Sequence, residues 1–69
     1  MILRALQHMT ISETKGRIGG GYLERGTIVM ALDRMIVDFG HSEAENIFVL
    51  AGNGKMYYCY FSNEHWEQL

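Results

Sequence analysis

Asn46-Ile47-Phe48-Val49-Leu50-Ala51 and Met56-Tyr57-Tyr58-Cys59-Tyr60-Phe61 are two apolar runs, joined by Gly52-Asn53-Gly54-Lys55. The runs are rich in β-branched and aromatic residues, which favour strands. Asn53-Gly54 between them suits the left-handed conformations of a tight turn, so residues 46–61 are predicted to form a β-hairpin. In the second run no position is clearly polar. If Tyr57, Cys59 and Phe61 face the core, Met56, Tyr58 and Tyr60 face out. A small antiparallel sheet normally keeps one face wet, so that outward stripe is a surplus. Tyr and Met are enriched in interface cores, and contiguous exposed aromatics mark binding surfaces. Closure of a barrel over both faces, or Tyr hydroxyls reaching water, accounts for the stripe equally well. The candidate protein-binding residues are therefore Met56, Tyr58 and Tyr60, with Arg25 or Arg17 at the rim.

Upstream, Gly26-Thr27-Ile28-Val29-Met30-Ala31-Leu32 and Met35-Ile36-Val37-Asp38-Phe39-Gly40 are separated by Asp33-Arg34. The β-branched residues and the bounding glycines predict a second hairpin or a bent strand here, over the helix that Ala, Leu and Met would favour. His41-Ser42-Glu43-Ala44-Glu45 reads as a polar connector. In the first segment the apolar positions Met1, Leu3, Ala5, Met9 and Ile11 alternate, with Gln7 intruding. That suits a half-buried strand, while Ile2, Leu6 and Met9 also fit a helical stripe. Residues 12–21 hold four glycines and are predicted to be a mobile loop. Beyond the hairpin, Ser62-Asn63-Glu64 reads as a turn or a one-turn helix start, because Ser and Asn cap helices and Glu favours the first turn.

The chain has 69 residues, 48% of them hydrophobic and 12% aromatic. That length fits one domain, residues 1–69. So short a chain buries only about 60% of the surface its unfolded form exposes. A single cysteine excludes an internal disulfide, so stability rests on core packing, a partner or self-association. A formal charge of −2 argues against a nucleic-acid binder, which usually carries a basic excess. The charge is polarised: most Lys and Arg lie in residues 1–34, whereas Lys55 stands alone against five acidic residues in 35–69. No apolar run approaches the ~20 residues of a membrane span. A lone thiol and no export signal point to a reducing cytoplasm.

Few residues point to chemistry. Lys15-Gly16-Arg17-Ile18-Gly19-Gly20-Gly21 could cradle phosphate, because Gly-rich backbone exposes N–H groups. It lacks the Gly-Lys-Ser/Thr ending of a P-loop and the Gly-x-Gly-x-x-Gly order of a dinucleotide site. Gly16-Arg17-Ile18-Gly19 has the GXXG spacing that clamps nucleic-acid backbone between two helices, but its flanks read as turn and strand. Lys15, Arg17, Gly19 and Gly20 are thus an alternative, nucleic-acid-binding site. Cys59, between two tyrosines, reads as a small buried hydrophobe. His8, His41 and His65 lie far apart and form no zinc-ligand spacing, while His41, Glu43 and Glu45 read as a solvated acidic loop. No cofactor, metal or catalytic residue is expected.

Residues 22–69 resemble the SH3-like barrels of small bacterial and phage proteins. The resemblance lies in Leu23-Glu24-Arg25-Gly26-Thr27-Ile28-Val29, the run from Met35 to Phe39, the hairpin 46–61, and Ser62-Asn63-Glu64-His65-Trp66-Glu67-Gln68-Leu69. It implies an all-β barrel of about five strands with a C-terminal helical turn. It implies a binding role without enzymatic activity, as a protein–protein interaction module of phage or mobile-element accessory or inhibitory type. A protein partner, or a second copy as homo-oligomer, is the expected ligand.

Overall fold

The computed structural model describes residues 1–16 and 20–69. Seven strands form one curled antiparallel sheet: β1 (Ile2–Ala5), β2 (Met9–Ser12), β3 (Tyr22–Leu23), β4 (Ile28–Asp38), β5 (Glu43–Leu50), β6 (Met56–Tyr60) and β7 (Trp66–Gln68). Their spatial order is β3-β2-β6-β5-β4-β1-β7, a half-barrel with β3 and β7 at its edges. Among the described residues there is no helix, and none long and apolar enough to cross a membrane.

The predicted hairpin is β5–β6, with Leu50 opposite Met56 and Ile47 opposite Cys59. Its turn differs from the expected one. Only Gly54 takes a positive φ, 83°. The Gly54 N–H donates to the Ala51 carbonyl at 3.0 Å, and the Ala51 N–H to the Lys55 carbonyl at 2.9 Å. The loop is therefore three residues, 52–54, ending on a left-handed glycine. That pattern matches the strand twist while sparing Asn53 a strained conformation.

The middle segment is a single bent strand. Ala31 pairs with Val49 and Asp33 with Phe48, so Leu32 is the extra residue of a bulge. The bend lets one strand serve both halves of the sheet: Ile28, Val29 and Met30 pair with β1, while Met30 to Asp38 pair with β5. The expected connector 41–45 is shorter than predicted, and Glu43 and Glu45 belong to β5. Gly40, at φ 93°, turns the chain tightly enough for the Phe39 N–H to reach the Ser42 carbonyl at 2.9 Å.

The sheet has seven strands where about five were expected, because both ends of the chain divide differently. Leu3, Ala5, Met9 and Ile11 are buried in the expected alternation, but the strand breaks around the exposed Gln7. The two pieces then join opposite sides of the half-barrel, β1 against β4 and β7, and β2 against β3 and β6. At the other end, residues 63–65 are a turn and the following residues extend as β7, in place of the expected helical turn. Strand wins because β1 offers a free edge: Leu3, Arg4 and Ala5 pair with Gln68, Glu67 and Trp66. Extension also buries Trp66, whose indole N–H donates to the Tyr60 carbonyl at 3.0 Å.

The core fills the concave face. Leu3, Val29, Ile47, Val49, Cys59 and Trp66 come together there from five strands. Ile47 and Val49 have no solvent exposure.

Candidate functional site

Alternation along β6 separates its two faces. Cys59 is buried in the core with Phe61 after it, whereas Met56 and Tyr60 are about half exposed (49% and 48%) on the convex face. Tyr58, on that same face, is half-buried because it lies against Phe48 of the neighbouring strand, ring centroids 4.6 Å apart. Pairing explains the contact: Phe48 and Tyr58 are directly opposite, and such pairs share a face.

Tyr58 and Tyr60 open into a groove of ≈ 790 Å³. Ala44 and Asn46 of β5 form its floor beside them, and Thr10 of β2 lines the far side. Phe39, His41 and Ser42, from the tight β4–β5 turn, line it as well, together with Gly16. Gly16 is held at φ 78°, a conformation that L side chains rarely adopt, and an added Cβ would sit 3.8 Å from Val37. This loop thus lies over the otherwise outward-facing end of β4, which explains why Val37 is buried.

The polar groups around the groove are held locally. Asn46, nearly fully buried, reaches the Ala44 carbonyl at 3.4 Å through its amide nitrogen. Ser12 bonds to both backbone groups of Thr14, at 2.9 and 3.0 Å, fixing the loop where it leaves β2. Behind Tyr60, His65 presents its ring edge-on at 5.5 Å and is itself held by Ser62, Nδ1 to Oγ at 2.7 Å. Tyr60 is therefore oriented by neighbours yet open to solvent on one side. Such an aromatic combines apolar area with a hydroxyl handle.

The structure divides the residues that the sequence grouped. Tyr58 and Tyr60 share the groove. Met56 lies on the same face but outside the groove. Arg25 sits in an exposed turn before β4, at the opposite end of that strand from the groove, where the next residue, Gly26, donates to the Ala5 carbonyl at 2.8 Å. Of the alternative site, Lys15 is exposed next to the groove-lining Gly16, and Gly20 is exposed with φ 115°. Arg17 and Gly19 lie outside the described residues. Phe39, His41 and Thr10 were missed as groove residues. Nothing local marks them, since only the fold brings residues 10, 39–46 and 58–60 together.

Other chemistry-bearing groups are engaged elsewhere. Burial pushes the Cys59 thiol up to about 12 from its ordinary value near 9, so it stays protonated and inert. Glu45 accepts from Arg34 Nε and Nη2 at 2.8 and 2.6 Å, and the Arg34 guanidinium stacks 4.6 Å from the Phe61 ring centroid. Among the described residues no three His, Cys, Asp or Glu side chains are grouped to hold a metal ion. Compared with known proteins, the chain matches no family model, no curated protein and no solved structure.

Proposed function

We propose that this chain is a non-enzymatic, SH3-like binding module that seats an apolar side chain of a protein partner in the Tyr58–Tyr60 groove. The observation that carries the reading is Tyr60 itself. It is a large aromatic, held from behind by His65 and left about half exposed over a groove with an aromatic wall. A side chain lodged there gains apolar contact from Tyr58, Tyr60 and Phe39 and meets hydroxyl and imidazole groups at the margin. Curling of one sheet around a long bulged strand, with the last strand returning to β1, supports the barrel side of the proposal.

The test is capture from the native host with three immobilised baits: the wild-type chain, Tyr60→Ser, and Arg34→Ala as a control away from the groove. A partner held by wild type and by Arg34→Ala, but reduced at least ~10-fold by Tyr60→Ser, is the expected result. An identical set of captured proteins on all three baits would remove the groove from consideration. Far-UV circular dichroism of each bait confirms that the fold is retained.

A further inference from the structure

Asn46 lines the groove with only 6% of its surface exposed. Register puts it there. Asn46 is directly opposite Tyr60, while the next residue, Ile47, is opposite Cys59 in the core, so Asn46 and Tyr60 share the convex face. The Asn46 amide nitrogen donates to the Ala44 carbonyl at 3.4 Å, a long hydrogen bond. That contact fixes the orientation of the amide, since an oxygen in the same place would meet another carbonyl oxygen. The other end, Oδ1, accepts no hydrogen bond from the described residues. It is not sealed in either, because among the described residues no fully buried side-chain oxygen or nitrogen lacks a partner. Oδ1 therefore faces open space, and the groove is the opening that Asn46 lines.

We propose that the groove takes a tryptophan side chain of the protein partner, with the indole N–H donating to Asn46 Oδ1. This rests on the groove reading above and adds what the seated side chain must carry. An apolar ring laid over Asn46 strips water from Oδ1, and a buried carbonyl left unpaired is costly. The occupant must therefore bring a donor. That donor is neutral. None of the described lining residues is Asp, Glu, Lys or Arg, so an ammonium or guanidinium would give up its hydration without a counter-charge.

The body behind the donor is large and planar, to use the rings of Phe39, Tyr58 and Tyr60 around ≈ 790 Å³. Tryptophan meets all three demands, and its single polar atom is a donor with nothing left to satisfy. A tyrosine hydroxyl adds lone pairs that need a second donor, whereas the Asn46 amide nitrogen is turned to Ala44. A nucleobase offers a planar donor too, but it brings phosphates to a chain of formal charge −2.

Nitrogen–proton correlation NMR of the isotope-labelled full chain tests this with capped amino acids. N-acetyl-tryptophanamide is expected to shift the signals of Tyr58, Tyr60 and the Asn46 side-chain amide, with a Kd of about a millimolar. Its N-methylindole analogue should bind at least ~10-fold more weakly. In Asn46→Leu the two ligands should bind within about twofold of each other, because the acceptor that told them apart is gone. Should Asn46→Leu fold poorly, the benzothiophene analogue, with sulfur in place of the N–H and no added bulk, must show the same loss on wild type. Equal binding of all these ligands and of N-acetyl-phenylalaninamide overturns the inference and leaves the groove reading standing. Tighter binding of N-acetyl-tyrosinamide or of adenosine overturns it in favour of that chemistry. Groove signals that no aromatic ligand moves would remove both readings.

Discussion

On the concave face of the sheet, Ile47 and Val49 are sealed from solvent. One residue along the same strand, Phe48 and Leu50 are only partly covered, and across from them Met56 and Tyr60 stand about half exposed. Hydropathy does not separate these sets, and curvature does. A curled sheet brings concave side chains of non-adjacent strands together, so Leu3, Cys59 and Trp66 meet although β1, β6 and β7 are not all neighbours. On the convex face the side chains diverge, and contacts are local, as Phe48 with Tyr58 opposite it and Tyr60 with His65. Residue types overlap: the closed side holds Ile47, Val49 and Cys59 but also Met9, Phe61 and Trp66, while Ile2 and Ile28 stand exposed like Met56 and Tyr60.

The largest expected effect comes from opening the concave side. Ile47→Ala should destabilise the fold by about 2–4 kcal/mol in chemical denaturation, because it leaves a cavity that the surrounding sheet cannot fill. Against a total of roughly 5–10 kcal/mol for a small domain, that is a large share. A loss below about 1 kcal/mol would show the concave face to be loosely packed and would dissolve the contrast.

Cys59 sharpens the same contrast through pH. Its thiol is raised to about 12 in the folded chain and ionises near 9 when unfolded. Between these values the unfolded state has given up a proton that the folded state keeps, so the contribution is complete below pH 9 and is lost as pH rises toward 12. Thermal melts should fall more steeply above pH 9 for wild type than for Cys59→Ala. The variant itself should cost about 1–2 kcal/mol at neutral pH for the lost packing. Parallel pH profiles would mean that the thiol reaches solvent.

The smallest effect belongs to the convex side. Met56→Ser should change stability by no more than about 0.5 kcal/mol, as is usual for an exposed position. A loss comparable to that of Ile47→Ala would place Met56 under a layer that the fold does not show.

Legibility in the sequence followed how local each determinant is. The hairpin could be read because its strands and turn are contiguous and its turn residues are diagnostic. Even there, the choice between a two-residue turn and a three-residue loop depended on which of Asn53 and Gly54 took the left-handed conformation. Alternation at Leu3, Ala5, Met9 and Ile11 marked the buried face of the first segment, and Gln7 marked its break. Ser62-Asn63-Glu64 carried helix-start chemistry, but the residues after it were claimed by the free edge of β1, which lies more than sixty positions earlier in the chain. The groove was half legible. Tyr58 and Tyr60 were marked by their place in an over-apolar strand, whereas Phe39 and His41 reach it only because Gly40 turns β4 back on β5.

The sequence by itself determined the class of the fold, the hairpin and the two-residue periodicity that divides each strand, because these depend on dihedral preference and alternation within a few residues. Tertiary structure decided the number of strands, their order, and which apolar residues stay at the surface. Those outcomes depend on backbone hydrogen bonds between distant segments and on the direction in which the sheet curls, neither of which is encoded in any local run.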